Sequence, residues 1–125
     1  MTNVAILGMG VVGGGVAEIL LKNARDIESK NGDAPHIKYV LDLRDFPGHP
    51  LEKCVVHDIN IILNDPEVTI VAELMGGSHP AYEFSMACLK AGKSVVTSNK
   101  EVVANFGDEL LRTAKENHVR YLFEA

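Results

Sequence analysis

The chain has no tryptophan, and aromatic residues make up only 6% of its 125 positions. It has two cysteines, Cys54 and Cys88, and no C-x-x-C pair, so no disulfide framework or zinc ribbon is written into it. Basic residues are outnumbered, 12 Lys and Arg against 17 Asp and Glu, for a net charge of −5. That balance argues against a broad nucleic-acid surface, although a local anion site is compatible with it. Long apolar runs are lacking too: none approaches the ~20 residues of a membrane span. The first run, Val4–Leu7, meets glycine too early to be a signal peptide. These absences leave a single soluble domain with free thiols, expected in the cytoplasm, with no membrane and no nucleic-acid partner.

Glycine, by contrast, is concentrated near the start. The stretch VAILGMGVVGGGVAEILL holds five glycines within eight residues and then returns to helical spacing. Glycine costs about 1 kcal/mol against alanine inside a helix, so this clustering needs a reason. Gly8-Met9-Gly10-Val11-Val12-Gly13 is G-x-G-x-x-G, with a strand expected before it and a helix after it. In such a turn the first glycine permits a tight bend, the second lets backbone approach a pyrophosphate, and the third packs helix on strand. The unpaired N–H groups of the helix start then face the anion. Dinucleotide binding follows, with tight packing alone as the competing explanation.

Beyond the glycines, helical spacing from Val11 to about Ser29 ends at Asn31-Gly32-Asp33. A second strand is expected over 36–43, and a short edge strand over 54–57. A brief helix capped by Asp58 follows, then a strand over 68–74. Pro80 is placed to open a helix that stops at Gly92. A strand over 94–97, two helices over 101–105 and 107–117, and a last strand over 119–123 complete the pattern. Strands alternating with helices, and strands as continuously apolar as VTIVAEL, predict an α/β fold with a doubly wound parallel sheet of the Rossmann dinucleotide-binding type.

A cofactor-binding fold of this kind places an acid at the end of the second strand, on the adenosine ribose. Asp42 is the candidate, although it lies farther from Gly13 than the usual ~20 residues. Arg44 stands just beyond and is suited to a 2′-phosphate. Asp42 favours NAD and Arg44 favours NADP, and either is also compatible with a solvated strand end. Ligands bind outside the carboxyl ends of the strands, so the loop Met75-Gly76-Gly77 is expected against the cofactor, its glycines admitting a flat ring such as nicotinamide. Thr97, Asn99 and Lys100, after the fifth strand, fall in the same crevice. A lysine there can move a proton, hold a substrate or bind a phosphate, and by residue type alone is equally a surface lysine.

GMGVVGGG, ELMGGSHPA, VVTSNKEVVA and the final FEA, in that order, resemble the nucleotide domain of homoserine dehydrogenase over essentially the whole chain. The resemblance implies an enzyme that interconverts L-homoserine and L-aspartate 4-semialdehyde with NAD(P), in amino-acid biosynthesis leading to threonine and methionine. Gly8, Gly10, Val12, Gly13 and Gly15 match its glycine motif. Glu73, Gly76, Gly77, Pro80 and Ala81 match a second motif, and Thr97, Asn99 and Lys100 a third, with Lys100 implied as the catalytic or substrate-positioning lysine. An arginine in the place of Arg44 implies a lean towards NADP over NAD. Family members continue past F-E-A into a substrate-binding and dimerising domain. Residues 1–125 are therefore expected to be the NAD(P)-binding domain of a longer homodimeric protein and nearly inactive alone. Glu124 resembles a glutamate that helps hold a monovalent cation, a site only a longer chain would complete.

Two other readings fit less well: an NAD-sensing module without chemistry, which has no need of TSNK, and the cofactor domain of another two-domain dehydrogenase. The five histidines form no cluster at metal-ligand spacing, and Cys54-x-x-His57 alone falls short of the four ligands of a structural zinc. Cys88 is expected in the core. Glu109, Arg112, Lys115 and Glu116 are expected on a solvated helix face, and His79 is the one histidine near the expected nicotinamide loop.

Overall fold

Four apolar residues in succession after Asn3, Val4 to Leu7, make strand β1 (Asn3–Leu7) and are all buried. The computed structural model describes residues 3–8, 36–48 and 51–123. Within them β1 is followed by β2 (His36–Leu41), a 3₁₀ turn (Glu52–Cys54), β3 (Val55–Val56) and α1 (Ile59–Leu63). Next come β4 (Val68–Glu73), α2 (Ala81–Lys90), β5 (Ser94–Thr97), α3 (Lys100–Glu116) and β6 (Tyr121–Phe123). The described strands make one sheet in the order β3-β2-β1-β4-β5-β6, every neighbouring pair parallel. This is the order of dinucleotide-binding α/β sheets, in which the chain reverses direction between β1 and β4.

Both faces of the sheet are buried, as a parallel sheet requires. One face carries Ala5, Leu7, Val71 and Val95 against Ala81, Cys88 and Leu89 of α2 and Val102, Leu110 and Ala114 of α3. The other carries Val4, Ile6, Val40, Ile70, Ala72 and Val96. Burial pushes the Cys88 thiol up to about 12, which fits its expected place in the core. Among the described residues, no helix is long and apolar enough to cross a membrane.

The register aligns the strand ends. Leu7 pairs with Leu41 and with Glu73, Glu73 with Thr97, and Thr97 with Phe123. Loops leaving these strands therefore emerge along one edge. The opposite edge is tied by Asp65, whose carboxylate takes the Lys38 ammonium at 2.6 Å and the Tyr39 hydroxyl at 2.7 Å. Lys93, nearly buried, donates there to the carbonyls of Asp65 and Val68, both at 2.7 Å.

Several boundaries differ from the sequence expectation, the edge strand expected over 54–57 being only Val55–Val56 and the strand expected over 68–74 ending at Glu73. Strand β2 ends at Leu41 rather than 43, so Asp42 opens a loop. Val119 and Arg120 precede β6 instead of opening it. The two helices expected on either side of Gly107 are the single helix α3. Gly107 is buried in it, and an added Cβ would come 3.3 Å from Val103 Cγ1. Packing of Val102, Leu110 and Ala114 on the sheet outweighs the ~1 kcal/mol that an interior glycine costs.

Candidate functional site

A cleft of about 880 Å³ opens over the carboxyl ends of β1, β2, β4 and β5. That volume falls in the range of small-molecule sites, about 300–1,000 Å³. Gly8, which follows the central strand β1, lines the cleft, with φ +82° and its N–H donating to the Leu41 carbonyl at 2.7 Å. A Cβ there would lie 3.0 Å from Met75 Cγ, so this first glycine is required both by its backbone conformation and by the loop beside it. Gly10, Val11, Val12, Gly13, Gly14 and Gly15 of the glycine motif, and Glu124, lie outside the described residues.

At one end of the cleft stand Asp42, Arg44 and His57. The Asp42 carboxylate accepts from the Arg44 backbone N–H at 3.0 Å and from its Nε at 3.3 Å. The Arg44 guanidinium also lies 4.7 Å from the centre of the Phe46 ring. His57 meets two acceptors, the Asp42 carbonyl at Nδ1 (2.6 Å) and Asp45 Oδ1 at Nε2 (2.8 Å). The carbonyl first and the carboxylate second raise its pKa, favouring the imidazolium, which alone can donate from both nitrogens. Leu43, 94% exposed, and Ile59 add an apolar lip.

At the other end, Met75, Gly76, Ser98, Asn99 and Lys100 line the cleft. Asn99 caps α3, its side-chain oxygen accepting from Val102 N–H at 3.1 Å, and Lys100 is the first residue of that helix. A cation in this position runs against the helix dipole by about 0.3–1 kcal/mol, so local helix stability does not account for it. The exposed Lys100 also borders a second, smaller cavity with Val103, Ala104 and Phe123. Gly77 (φ +78°) is exposed and outside the cleft lining, its carbonyl accepting from Asn99 Nδ2 at 2.6 Å. Thr97 is fully buried, its hydroxyl donating to Glu73 Oε1 at 2.9 Å and accepting from Asn99 N–H at 2.9 Å.

The structure thus brings Gly8, Asp42, Arg44, Met75, Gly76, Asn99 and Lys100 together along one cleft, while Gly77, exposed, and Thr97, buried, are not part of its lining. His79 is outside the lining; it pairs with Glu83 and lies edge-on to Tyr82 and Phe106. Glu109 is only half-exposed and accepts from the Tyr82 hydroxyl at 2.8 Å, whereas Arg112, Lys115 and Glu116 face solvent as expected. Cys54 and His57 have separate partners, and no group of three possible metal ligands occurs among the described residues.

Sequence reasoning singled out neither His57 nor Leu43 at the Asp42 end of the cleft. It also gave Glu73 no more than a motif match, although an acid closing the apolar run VTIVAEL was a legible signal. Glu73 is completely buried, and desolvation raises its pKa against the hydrogen bonds from Thr97 and Met75 that favour its charge.

A family model described as the NAD-binding domain of homoserine dehydrogenase matches residues 8–124. The chain belongs to this family. It is 34% identical to the homoserine dehydrogenase of Pseudomonas aeruginosa and 36% to that of Bacillus subtilis, in each case over 98% of its own length. It spans only 28% and 29% of those two proteins. A crystal structure of S. aureus homoserine dehydrogenase superposes with a TM-score of 0.79 at 35% identity, covering 99% of this chain and 32% of that one. A hyperthermophilic archaeal homoserine dehydrogenase mutant in complex with NADPH superposes with a TM-score of 0.71 at 26% identity, covering 98% of this chain and 43% of that one. The fold and family expected from the glycine, GGSHPA and TSNK motifs are those found.

Proposed function

We propose that this homoserine dehydrogenase domain binds NAD(P) in the 880 Å³ cleft. We further propose that the whole protein interconverts L-homoserine and L-aspartate 4-semialdehyde. The observation that carries the reading is the arrangement around Gly8: a glycine whose φ and neighbour exclude a side chain, flanked by a polar adenosine end and a lysine-bearing end. The residues present fit a dinucleotide. Gly8 and the glycines after it suit the pyrophosphate, Asp42 or Arg44 the adenosine ribose or its 2′-phosphate, and Met75 and Gly76 the nicotinamide. The cofactor, when bound, supplies the hydride acceptor or donor. Asn99 and Thr97 hold the helix start from which Lys100 projects, and Lys100 orients the substrate oxygen or exchanges a proton with it.

Arg44, exposed at the end of the cleft, favours NADP over NAD. Substrate-binding and dimerising residues come from outside residues 1–125, and Glu124 joins a monovalent-cation site completed there. The protein acts in the cytoplasm as a homodimer, and this chain alone binds cofactor with almost no turnover. The test is homoserine-dependent NADPH formation by the full-length protein. Lys100→Ala is expected to lower it about 10²-fold or more; full activity of that variant would remove Lys100 from the mechanism.

A further inference from the structure

Among the described residues Glu73 is the one carboxylate buried completely. A buried acid in a sheet is costly unless its oxygens are satisfied, and the two oxygens of Glu73 are divided between the loop after β4 and the end of β5. Oε2 accepts from the backbone N–H of Met75 at 2.7 Å, and Oε1 accepts from the Thr97 hydroxyl at 2.9 Å. The donor directions are fixed. Asn99 N–H can only donate, so Thr97 Oγ accepts from it and spends its own proton on Glu73. Asn99 then caps α3 through its oxygen and reaches the Gly77 carbonyl through its nitrogen, at 2.6 Å, closing the circuit back to the loop that Met75 opens.

We infer that Glu73 is a positioning residue for the nicotinamide end of the cofactor, joining the Met75–Gly77 loop and the Asn99–Lys100 helix start into one unit. The inference rests on the cofactor-binding reading above. Glu73 is shielded from the cleft and touches neither cofactor nor substrate; it acts through Met75 and Thr97. The adenosine end depends on a separate set of contacts, centred on Asp42, two strands away across β1. Disturbing Glu73 therefore alters one half of the site and leaves the other. A role confined to general stability would affect both halves alike.

The experiment is calorimetric titration of this chain with NADPH and, separately, with 2′-phospho-ADP-ribose, which has the adenosine half without nicotinamide. Glu73→Ala is expected to weaken NADPH about tenfold and to leave the fragment within about twofold, as loss of a hydrogen-bonded anchor predicts. Glu73→Gln keeps an acceptor for Met75 and can donate to Thr97, which then accepts twice, so it is expected to restore NADPH to within about threefold of the parent. If Glu73→Ala does not fold, Thr97→Val, which removes the linking hydroxyl at constant shape, is compared on the same two ligands with the same expectation. Parallel weakening of both ligands, or unchanged NADPH binding, overturns the inference. If the unaltered chain binds neither ligand, the cofactor reading itself fails, and this inference with it.

Discussion

Arg44 lies back across Asp42, with its backbone N–H and its Nε both donating to Oδ1, at 3.0 and 3.3 Å. The two residues that point to different cofactors are thus partners in one ion pair. Asp42 is largely sheltered while the Arg44 side chain is 60% exposed, so the arginine is the member that an arriving phosphate meets first. On the proposed cofactor reading, a 2′-phosphate would take over the guanidinium, whereas a ribose hydroxyl would have to compete with it for the carboxylate.

Arg44→Ala removes the phosphate's cation and the hydroxyl's competitor together. The NADPH-to-NADH affinity ratio is expected to fall about tenfold or more, the equivalent of one charge-assisted hydrogen bond. Paired titrations of the parent and the variant measure it, and an unchanged ratio would take Arg44 out of cofactor choice.

Gly8 combines φ +82° with a Cβ position 3.0 Å from Met75 Cγ. Gly8→Ala is expected to cost about 1–2 kcal/mol in stability from the left-handed backbone alone, with Met75 displaced as well. Denaturant unfolding measures the loss. Dinucleotide affinity should fall in the same variant, because Met75 borders the site.

The Asp65 carboxyl is held down to about 2, first by the Lys38 ammonium and then by the Tyr39 hydroxyl. A lowered carboxyl pKa means that the folded state favours the carboxylate. The stability it adds is complete above the ordinary carboxyl range near pH 4 and is lost as pH falls through that range towards 2. Thermal melts of Asp65→Asn should therefore be less sensitive to acid over that interval than melts of the parent. Equal acid sensitivity would show that the pair contributes nothing.

The element order was legible in the sequence because most strands are short, largely apolar runs, and β1, β2 and β6 are followed at once by glycine or an acid. Where the sequence misleads, tertiary packing has overridden a local signal. Gly107 marks a helix break by propensity, yet the buried stripe of α3 carries the helix through it. Leu43 looks like the last apolar residue of β2, but the strand's pairing with the two-residue β3 ends at Leu41, and Leu43 is left 94% exposed.

The site was legible as motifs and less so as connections. Lys100 and Asn99 fall where the motif suggests, on the cleft. Thr97, in the same motif, is turned inward, and strand alternation alone shows why: it shares a face with Val95, which packs against the helices. The link from Thr97 to Glu73 spans 24 residues and exists only because β4 and β5 pair in that register. His57 was invisible as a cleft residue because its place depends on the Asp42 carbonyl and on Asp45 in a loop before the 3₁₀ turn.

The most direct test of the central claim is calorimetric titration of the chain with NADPH and with NADH. Binding of both, with NADPH the tighter, is the predicted result and would establish the cleft around Gly8 as a working dinucleotide site. Absence of binding by either at millimolar concentration would contradict it.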